Sequence, residues 1–190
     1  MQCVLLLKRI LIIGILSLFL TPNSALSNEI EEPKEYRQNN YRAAVPGKVT
    51  GAGVIETPQE LETFIKQYNP VLLDVYPAAR KPDNLADTEL WIEPTRSTLP
   101  GAVWLANVGL GTLTLPLEEH FRKTLGTLTG NNPGYPVVIF CEPSCWHSWN
   151  ATKRAVAEGY TQIYWYRAGV KGWEETGLPL VPLHPMRPAP

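Results

Sequence analysis

Two cysteines four residues apart, Cys141 and Cys145, are the residues of this sequence best suited to chemistry. A thiol between a buried strand and a helix meets unpaired backbone N–H groups and the positive end of the helix dipole, which together lower its pKa. Cys141 directly follows the apolar run 136–140, and a helical pattern begins a few residues later. We therefore predict that Cys141 is a nucleophile whose thiolate or persulfide anion is held by backbone amides.

Cys145 has three interpretations. As a resolving thiol it forms a reversible disulfide with Cys141, because residues four apart on a helix lie about 6 Å apart, within disulfide range. As a metal ligand beside His147 it binds a soft ion, with copper(I) the best candidate. The third interpretation is an inert structural partner, and the sequence leaves all three open.

The other residues of the cysteine loop are predicted to surround the substrate or anion near Cys141. Glu142 works against the nucleophile, because a neighbouring negative charge raises the pKa of a thiol. His147 assists only if its ring lies close to the sulfur, and Trp146 is of a type that usually packs. The predicted loop residues are Glu142, Pro143, Ser144, Trp146, His147 and Ser148.

Strands alternate with helices along the chain, which predicts an α/β domain with a largely parallel sheet. Thr57-Pro58-Gln59-Glu60 is typical of a helix start, because Thr57 can cap, Pro58 suits the first turn and Glu60 completes a capping box. Asn69-Pro70 is predicted to stop this helix. In such sheets ligands bind beyond the carboxyl ends of the strands, which is where Cys141 lies. The predicted strands cover 71–76, 101–106, 136–140 and 162–166, and the later helices cover 117–128, 148–158 and a short turn at 172–176.

The ends of the chain have different compositions from its middle. Residues 1–27 combine Lys8 and Arg9 with an apolar run over 10–20 and small residues after it, which predicts a cleaved signal peptide and a periplasmic protein. Residues 28–45 are polar and are predicted to form a flexible arm. The domain is expected over 46–181, and the proline-rich residues 182–190 are expected to form an extended tail.

Composition excludes several classes of protein. The chain has 190 residues, of which 44% are hydrophobic and 18% charged, so it can bury a core and is not disordered. The formal net charge is −1 and no basic block is present, which argues against nucleic-acid binding. No second apolar segment of spanning length follows the leader, so no membrane association is expected after cleavage.

Four sequence elements, taken in order, resemble a rhodanese-like domain. Asp74 resembles the aspartate of the family's early strand, and the segment ending at Cys141 resembles the strand that delivers its active-site cysteine. The resemblance implies an α/β fold with a central, mainly parallel sheet flanked by helices. The four elements are VLLDVY at 71–76, LPGAV at 99–103, VVIFC at 137–141, and AGVKGW at 168–173 with TGLP at 176–179.

The chain is more closely similar to an exported rhodanese-like subgroup that is associated with PQQ-dependent catabolism and characterised by a CxxCW motif. The matching residues are Cys141, Cys145 and Trp146, with SWNA at 148–151 and YWY at 164–166, although the spacing here is C-x3-C-W. The resemblance implies an accessory role in periplasmic PQQ-dependent alcohol oxidation, beside a quinoprotein dehydrogenase or a c-type cytochrome. PQQ would belong to that partner, and no cofactor is expected in this chain.

The loop departs from the family pattern in its charge. Sulfurtransferase loops of this family usually hold arginines and a glycine after the cysteine, where this sequence has Glu142, Ser144 and Trp146. An anionic donor such as thiosulfate lacks its cationic clamp, so thiosulfate:cyanide sulfurtransferase activity is not expected. Three functions stay open: sulfur transfer or thiol–disulfide chemistry at Cys141, a non-catalytic binding module, and copper(I) delivery through the two cysteines.

Overall fold

The computed structural model describes residues 30–86 and 88–187, so the predicted signal peptide lies outside the described residues. Four helices accompany the strands: α1 (Pro58–Tyr68), α2 (Leu115–Thr129), α3 (Trp146–Ala157) and α4 (Gly169–Glu175). The strands are β1 (Gly53–Ile55), β2 (Val71–Asp74), β3 (Arg96–Thr98), β4 (Ala102–Trp104), β5 (Val137–Phe140), β6 (Ile163–Tyr166) and β7 (Val181–Leu183).

Five strands form one sheet in the order β1-β6-β5-β2-β4, and every neighbouring pair in it is parallel. Strand β5 lies at its centre, with Ile139 opposite Leu73 of β2 on one side and Trp165 of β6 on the other. The predicted α/β class with a mainly parallel sheet flanked by helices is therefore confirmed. A second, antiparallel sheet pairs β3 with β7.

Alternate residues of the central strands face opposite sides of the sheet, and each side is covered by helices. Leu73 and Ile139 lie in one core cluster with residues of α2 and α3. Leu72 and Phe140 lie in a second cluster with residues of α1 and α4. Because all of β5 is buried, its carboxyl end delivers the next residue, Cys141, into the protein interior.

The helix boundaries follow the local sequence signals. Thr57 caps α1, its side chain accepts a hydrogen bond from the Glu60 backbone N–H, and the Glu60 side chain completes the predicted capping box. Asn69 ends the helix in the left-handed conformation, as the predicted stop at Asn69-Pro70 requires. Helix α3 begins at Trp146, two residues earlier than predicted, so Cys145 is its N-cap residue. None of the helices in the described ranges is long and apolar enough to cross a membrane.

The structure differs from the prediction at both flanks of the domain. The proline-rich segment predicted as a tail from 182 contributes to β7, and the Met186 backbone N–H donates to the Trp104 carbonyl. A proline fits here because an edge strand leaves N–H positions without a partner. Residues 33–45, predicted to form a flexible arm, lie against α3. The Asn150 side chain hydrogen-bonds to the backbone of Arg37, and the Trp146 backbone N–H donates to the Tyr41 carbonyl. We call residues 33–45 the N-terminal cover.

Candidate functional site

The cysteine loop joins the carboxyl end of β5 to the first turn of α3. The Cys141 carbonyl accepts a hydrogen bond from the Val170 N–H at 2.9 Å, which ties the end of the strand to α4. Gly169 makes this approach possible, because a Cβ added there would lie 2.7 Å from the Cys141 carbonyl oxygen and its φ is +60°. Ser144 adopts a left-handed φ of 53° and turns the chain into α3.

Cys141 and Cys145 form a disulfide, with their Cα atoms 6.3 Å apart. Cys141 is 0% exposed and Cys145 1% exposed, and both belong to the core cluster that also contains Val75 and Phe121. The two residues are not on one helix, as the spacing argument assumed, because Cys141 follows the strand and Cys145 caps α3. The loop between them brings the sulfurs together instead.

The backbone N–H groups that were predicted to hold the Cys141 sulfur do not contact it in the disulfide form. Among the hydrogen bonds of residues 30–86 and 88–187, none runs from a backbone N–H to the Cys141 sulfur. Two causes account for this: α3 begins only after a four-residue loop, and its first N–H, that of Trp146, donates to the Tyr41 carbonyl. In the disulfide form Cys141 is therefore a buried half-cystine rather than an exposed thiolate.

His147 lies beside the disulfide. Its Nδ1 is 3.6 Å from the Cys145 sulfur, and its ring stacks on Tyr41 with the centroids 4.1 Å apart and the planes inclined by 22°. Burial, assisted by the positive charge of Arg42, lowers the pKa of His147 from 6.5 to about 4. The imidazole is therefore neutral at physiological pH. Its position is fixed by the Tyr41 ring and by the Cys145 sulfur.

Glu142 takes part in a buried ion-pair network instead of facing an open anion site. Arg96 donates from Nη2 to Glu142 and from Nε to Asp74, each at 2.7 Å, and Thr98 Oγ1 donates to the same Asp74 oxygen at 2.6 Å. Burial raises the pKa of Asp74, and Arg96 opposes that rise. Burial alone would lower the pKa of Arg96, but the two carboxylates outweigh it and raise the pKa.

A cavity of about 390 Å³ opens next to this network, near the carboxyl ends of β2 and β5. Tyr76, Arg96, Trp104 and Glu142 contribute to its wall, and the Arg96 guanidinium lies 4.0 Å from the centroid of the Tyr76 ring. The disulfide does not line this cavity. Glu142, the residue next to Cys141 in the chain, is the part of the cysteine loop that lines it.

The remaining predicted loop residues have structural contacts. Pro143 is half-buried and Ser144 exposed on the outer side of the loop. Trp146 donates from Nε1 to the Ala44 carbonyl and packs edge-to-face on Trp149, which agrees with the expectation that tryptophans here pack. Ser148 donates to the Cys145 carbonyl and accepts from Trp165 Nε1, so it braces the first turn of α3.

Four residues at the site were missed by sequence analysis: Tyr41, Arg42, Arg96 and Asn150. Tyr41 and Arg42 lie about a hundred residues from the loop, and Arg42 forms an isolated antiparallel bridge with Cys145. No local pattern signals such contacts. Arg96 stands just before the LPGA segment, and the unexplained buried charge of Asp74 was the one signal that a basic partner had to exist.

The site contains a cluster of three residues with metal-ligating atoms. The sulfurs of Cys141 and Cys145 and a ring nitrogen of His147 all lie within 4.8 Å of one another, and all three residues are buried. While the disulfide is intact, each sulfur is bonded to its own Cβ and to the other sulfur. Neither is a thiolate, which is the form that binds metals, so both are poor ligands. Reduction would release two thiols next to a neutral imidazole.

Lowering the pH is expected to destabilise the folded protein through His147. The unfolded chain takes up a proton at this residue near pH 6.5, whereas the folded chain does so only near its pKa of about 4, so stability is lost as the pH falls through that window. In His147→Asn this part of the pH dependence should disappear, whereas His184→Asn, at an exposed position, should retain it. Urea unfolding at about pH 7.5 and about pH 5 measures the difference. Identical pH dependence in His147→Asn and wild type would contradict a neutral buried ring.

Comparison with known proteins identifies the family of this chain and finds a similar solved structure. The profile of the rhodanese-like domain family matches residues 57–176, which is more than half of the chain. A similar solved structure is the 30 kDa polysulfide-sulfur transferase homodimer from Wolinella succinogenes, determined in solution. It has 22% sequence identity and a TM-score of 0.43, with 69% of this chain and 79% of that chain covered. No curated protein matches the chain. The family match runs from the cap of α1 to the end of α4 and includes the whole cysteine loop.

Proposed function

The chain belongs to the rhodanese-like family, and from this membership we propose that it is a thiol protein whose Cys141 accepts sulfur and whose Cys145 resolves the product as a disulfide. The observation that carries the proposal is the bond between the two sulfurs, one of which follows the strand where this family places its reactive cysteine. A second thiol within bonding distance of the first determines what happens to any sulfur bound at Cys141.

The reaction starts from the dithiol form. The Cys141 thiolate attacks the outer sulfur of a persulfide or polysulfide donor, the donor's S–S bond breaks, and the donor leaves as a thiolate. Cys145 then attacks the inner sulfur of the Cys141 persulfide, the disulfide forms, and the outer sulfur leaves as hydrosulfide. The dithiol thus gives two electrons to the transferred sulfur, and an external dithiol reductant must restore it.

The charges near the loop favour a donor other than thiosulfate. Arg96, the cation next to Glu142, is already paired with two carboxylates. A dianionic donor that approaches Glu142 gains nothing from Arg96, whose charge is already neutralised, and this is unfavourable in a partly buried site. An organic persulfide carries at most one negative charge and an organic polysulfide none, against the two of thiosulfate, so we propose this donor class and expect weak thiosulfate:cyanide activity.

Access to the sulfurs requires the N-terminal cover to move. Tyr41 stacks on His147, Arg42 bridges Cys145, and both cysteines are buried beneath these contacts. The cover is attached by hydrogen bonds and by Tyr41, Ala43 and Val45, which are only partly buried against a tryptophan cluster. A segment with so small a buried apolar surface opens locally at lower cost than the core. We therefore place the reactive state in a reduced form with the cover displaced.

The cellular setting of the proposal rests on the resemblance to the CxxCW subgroup. A leader at 1–27 favours export to the periplasm, where two cysteines are expected to form a disulfide. The subgroup's association favours an accessory role beside a quinoprotein dehydrogenase or a c-type cytochrome in PQQ-dependent alcohol oxidation. Deleting the gene should then slow growth on alcohols, and unchanged growth would argue against this setting.

The thiol chemistry is tested by counting products. Reduced protein, freed of reductant, is mixed with a small-molecule persulfide, and hydrosulfide and intact mass are recorded. Wild type should release one hydrosulfide for each disulfide formed. Cys145→Ser should retain one extra sulfur atom at Cys141 and release none, and Cys141→Ser should do neither. Hydrosulfide release that is equal in Cys141→Ser and wild type would refute the proposal.

A second candidate function is a non-catalytic binding module, and the complete burial of both sulfurs favours it. In this case the disulfide only fixes the shape of the loop and its surroundings. A Cys141→Ala/Cys145→Ala variant that folds and still supports growth on alcohols would favour the module. Loss of growth in a correctly folded double variant would favour thiol chemistry.

A further inference from the structure

The cluster of Cys141, Cys145 and His147 supports a second use of the same dithiol. We propose that the reduced protein binds one soft monovalent cation, copper(I), through the two sulfurs and the imidazole. The inference requires the dithiol form that the proposed function also uses, but it does not require sulfur transfer. It rests on three donor atoms lying within 4.8 Å of one another in the protein interior.

The donors are held on fixed elements, which favours binding without a large rearrangement. Cys141 is anchored to the end of β5 and to α4, and Cys145 and His147 occupy the start of α3. The His147 ring is held against Tyr41, with Nδ1 directed at the Cys145 sulfur 3.6 Å away.

The step balances in electrons and protons. A dithiol reductant transfers two electrons and two protons to the disulfide and is itself oxidised. Copper(I) then displaces both thiol protons, and a bis-thiolate complex with one negative charge forms beside the neutral imidazole. Arg42 lies near enough to influence His147 electrostatically, and its positive charge offsets the charge of this complex.

The donor set favours copper(I) over zinc. Thiolate and imidazole are soft or intermediate ligands, which select copper(I) and zinc over hard cations. Structural zinc takes four ligands, whereas the cluster found in the described part of the chain offers three, and the burial of the site leaves little room for water as a fourth. Glu142, the nearest carboxylate in sequence, is already bound by Arg96.

The test compares the wild-type chain with its disulfide reduced and with its disulfide intact. Reduced and oxidised protein are each titrated anaerobically with copper(I) in competition with a chromophoric chelator. We expect one copper(I) per reduced chain and none per oxidised chain. His147→Asn should weaken binding at least about tenfold while both thiols still react with a thiol reagent, and His184→Asn should match wild type. X-ray absorption of the wild-type complex should show two sulfur ligands and one nitrogen ligand.

The outcomes separate this inference from the proposed function. Equal copper uptake by the oxidised protein, or a copper complex without a nitrogen ligand, would overturn the three-donor site. A reduced protein that does not bind copper(I) but releases hydrosulfide from a persulfide would refute the metal site and leave the sulfur chemistry standing. The reverse result would refute the sulfur chemistry alone.

Discussion

Replacing Arg96 with methionine is expected to lower the free energy of unfolding at neutral pH by about 3–5 kcal/mol, because it leaves the buried carboxylate of Asp74 without its cation. Asp74 is 0% exposed, and besides Arg96 it has the Thr98 hydroxyl and the Tyr76 N–H as partners. These two neutral donors cannot offset the cost of a buried negative charge. Methionine retains much of the arginine side-chain volume, so the effect reports the charge rather than a cavity.

The pH dependence of this variant distinguishes the buried charge from a packing defect. Burial already raises the pKa of Asp74 above its ordinary value of 3.8, and losing Arg96 raises it further. The folded state then binds a proton that the unfolded state has released, so stability rises as the pH falls through the raised pKa towards 3.8. The deficit of Arg96→Met relative to wild type should therefore shrink on acidification.

Two further variants control this experiment. Arg96→Met/Asp74→Asn removes both charges and should recover part of the lost stability together with most of the altered pH dependence. Arg167→Met breaks a surface pair with Glu56 and should cost less than about 1 kcal/mol. Urea unfolding of all four proteins measures these differences. A deficit in Arg96→Met that is small, or constant with pH, would show that Asp74 does not carry a buried charge.

Local patterns in the sequence were sufficient to predict the central elements of the fold. The buried run at β5 and the capping box of α1 both depend on neighbours within a few residues, and each has the predicted form. Strands β1, β3 and β7 have three residues each, too few to show a period of two, and were not predicted, whereas the equally short β4 was predicted because it lies in the apolar run 101–106. The pairing of β3 with β7 joins segments more than eighty residues apart, which composition cannot indicate.

The sequence offered a Cys141–Cys145 disulfide as one of three interpretations, and the structure has that bond. The helical spacing used to argue for it was wrong, because the loop and not a shared helix brings the sulfurs together. Exposure and amide contacts depend on where α3 starts and on what covers the loop. The cover has no regular apolar periodicity, and part of its attachment comes from side chains such as Asn150 that bond to its backbone. Residues that make such long-range polar contacts do not recur at helix or strand spacing, so no sequence pattern predicts them.

The second large effect is expected from Asn150→Ala, which should lower the free energy of unfolding by about 3 kcal/mol through the loss of one buried and two partly buried hydrogen bonds. Asn150 is 0% exposed and holds both backbone groups of Arg37, accepting from the N–H and donating to the carbonyl, each at 2.9 Å. Its amide also donates to the Gly109 carbonyl at 3.0 Å. Alanine leaves these three backbone groups without their partner.

The same substitution should expose the disulfide, because the Asn150 side chain fastens the N-terminal cover to α3 a few residues before Tyr41 and Arg42. We expect a dithiol reagent to reduce the Cys141–Cys145 bond faster in Asn150→Ala than in wild type, and amide hydrogens near Tyr41 to exchange faster. Asn132→Ala, which removes a single hydrogen bond in an exposed turn, is the matched control and should leave both rates unchanged. If Asn150→Ala is destabilised but its disulfide is reduced at the wild-type rate, the cover does not control access to the sulfurs.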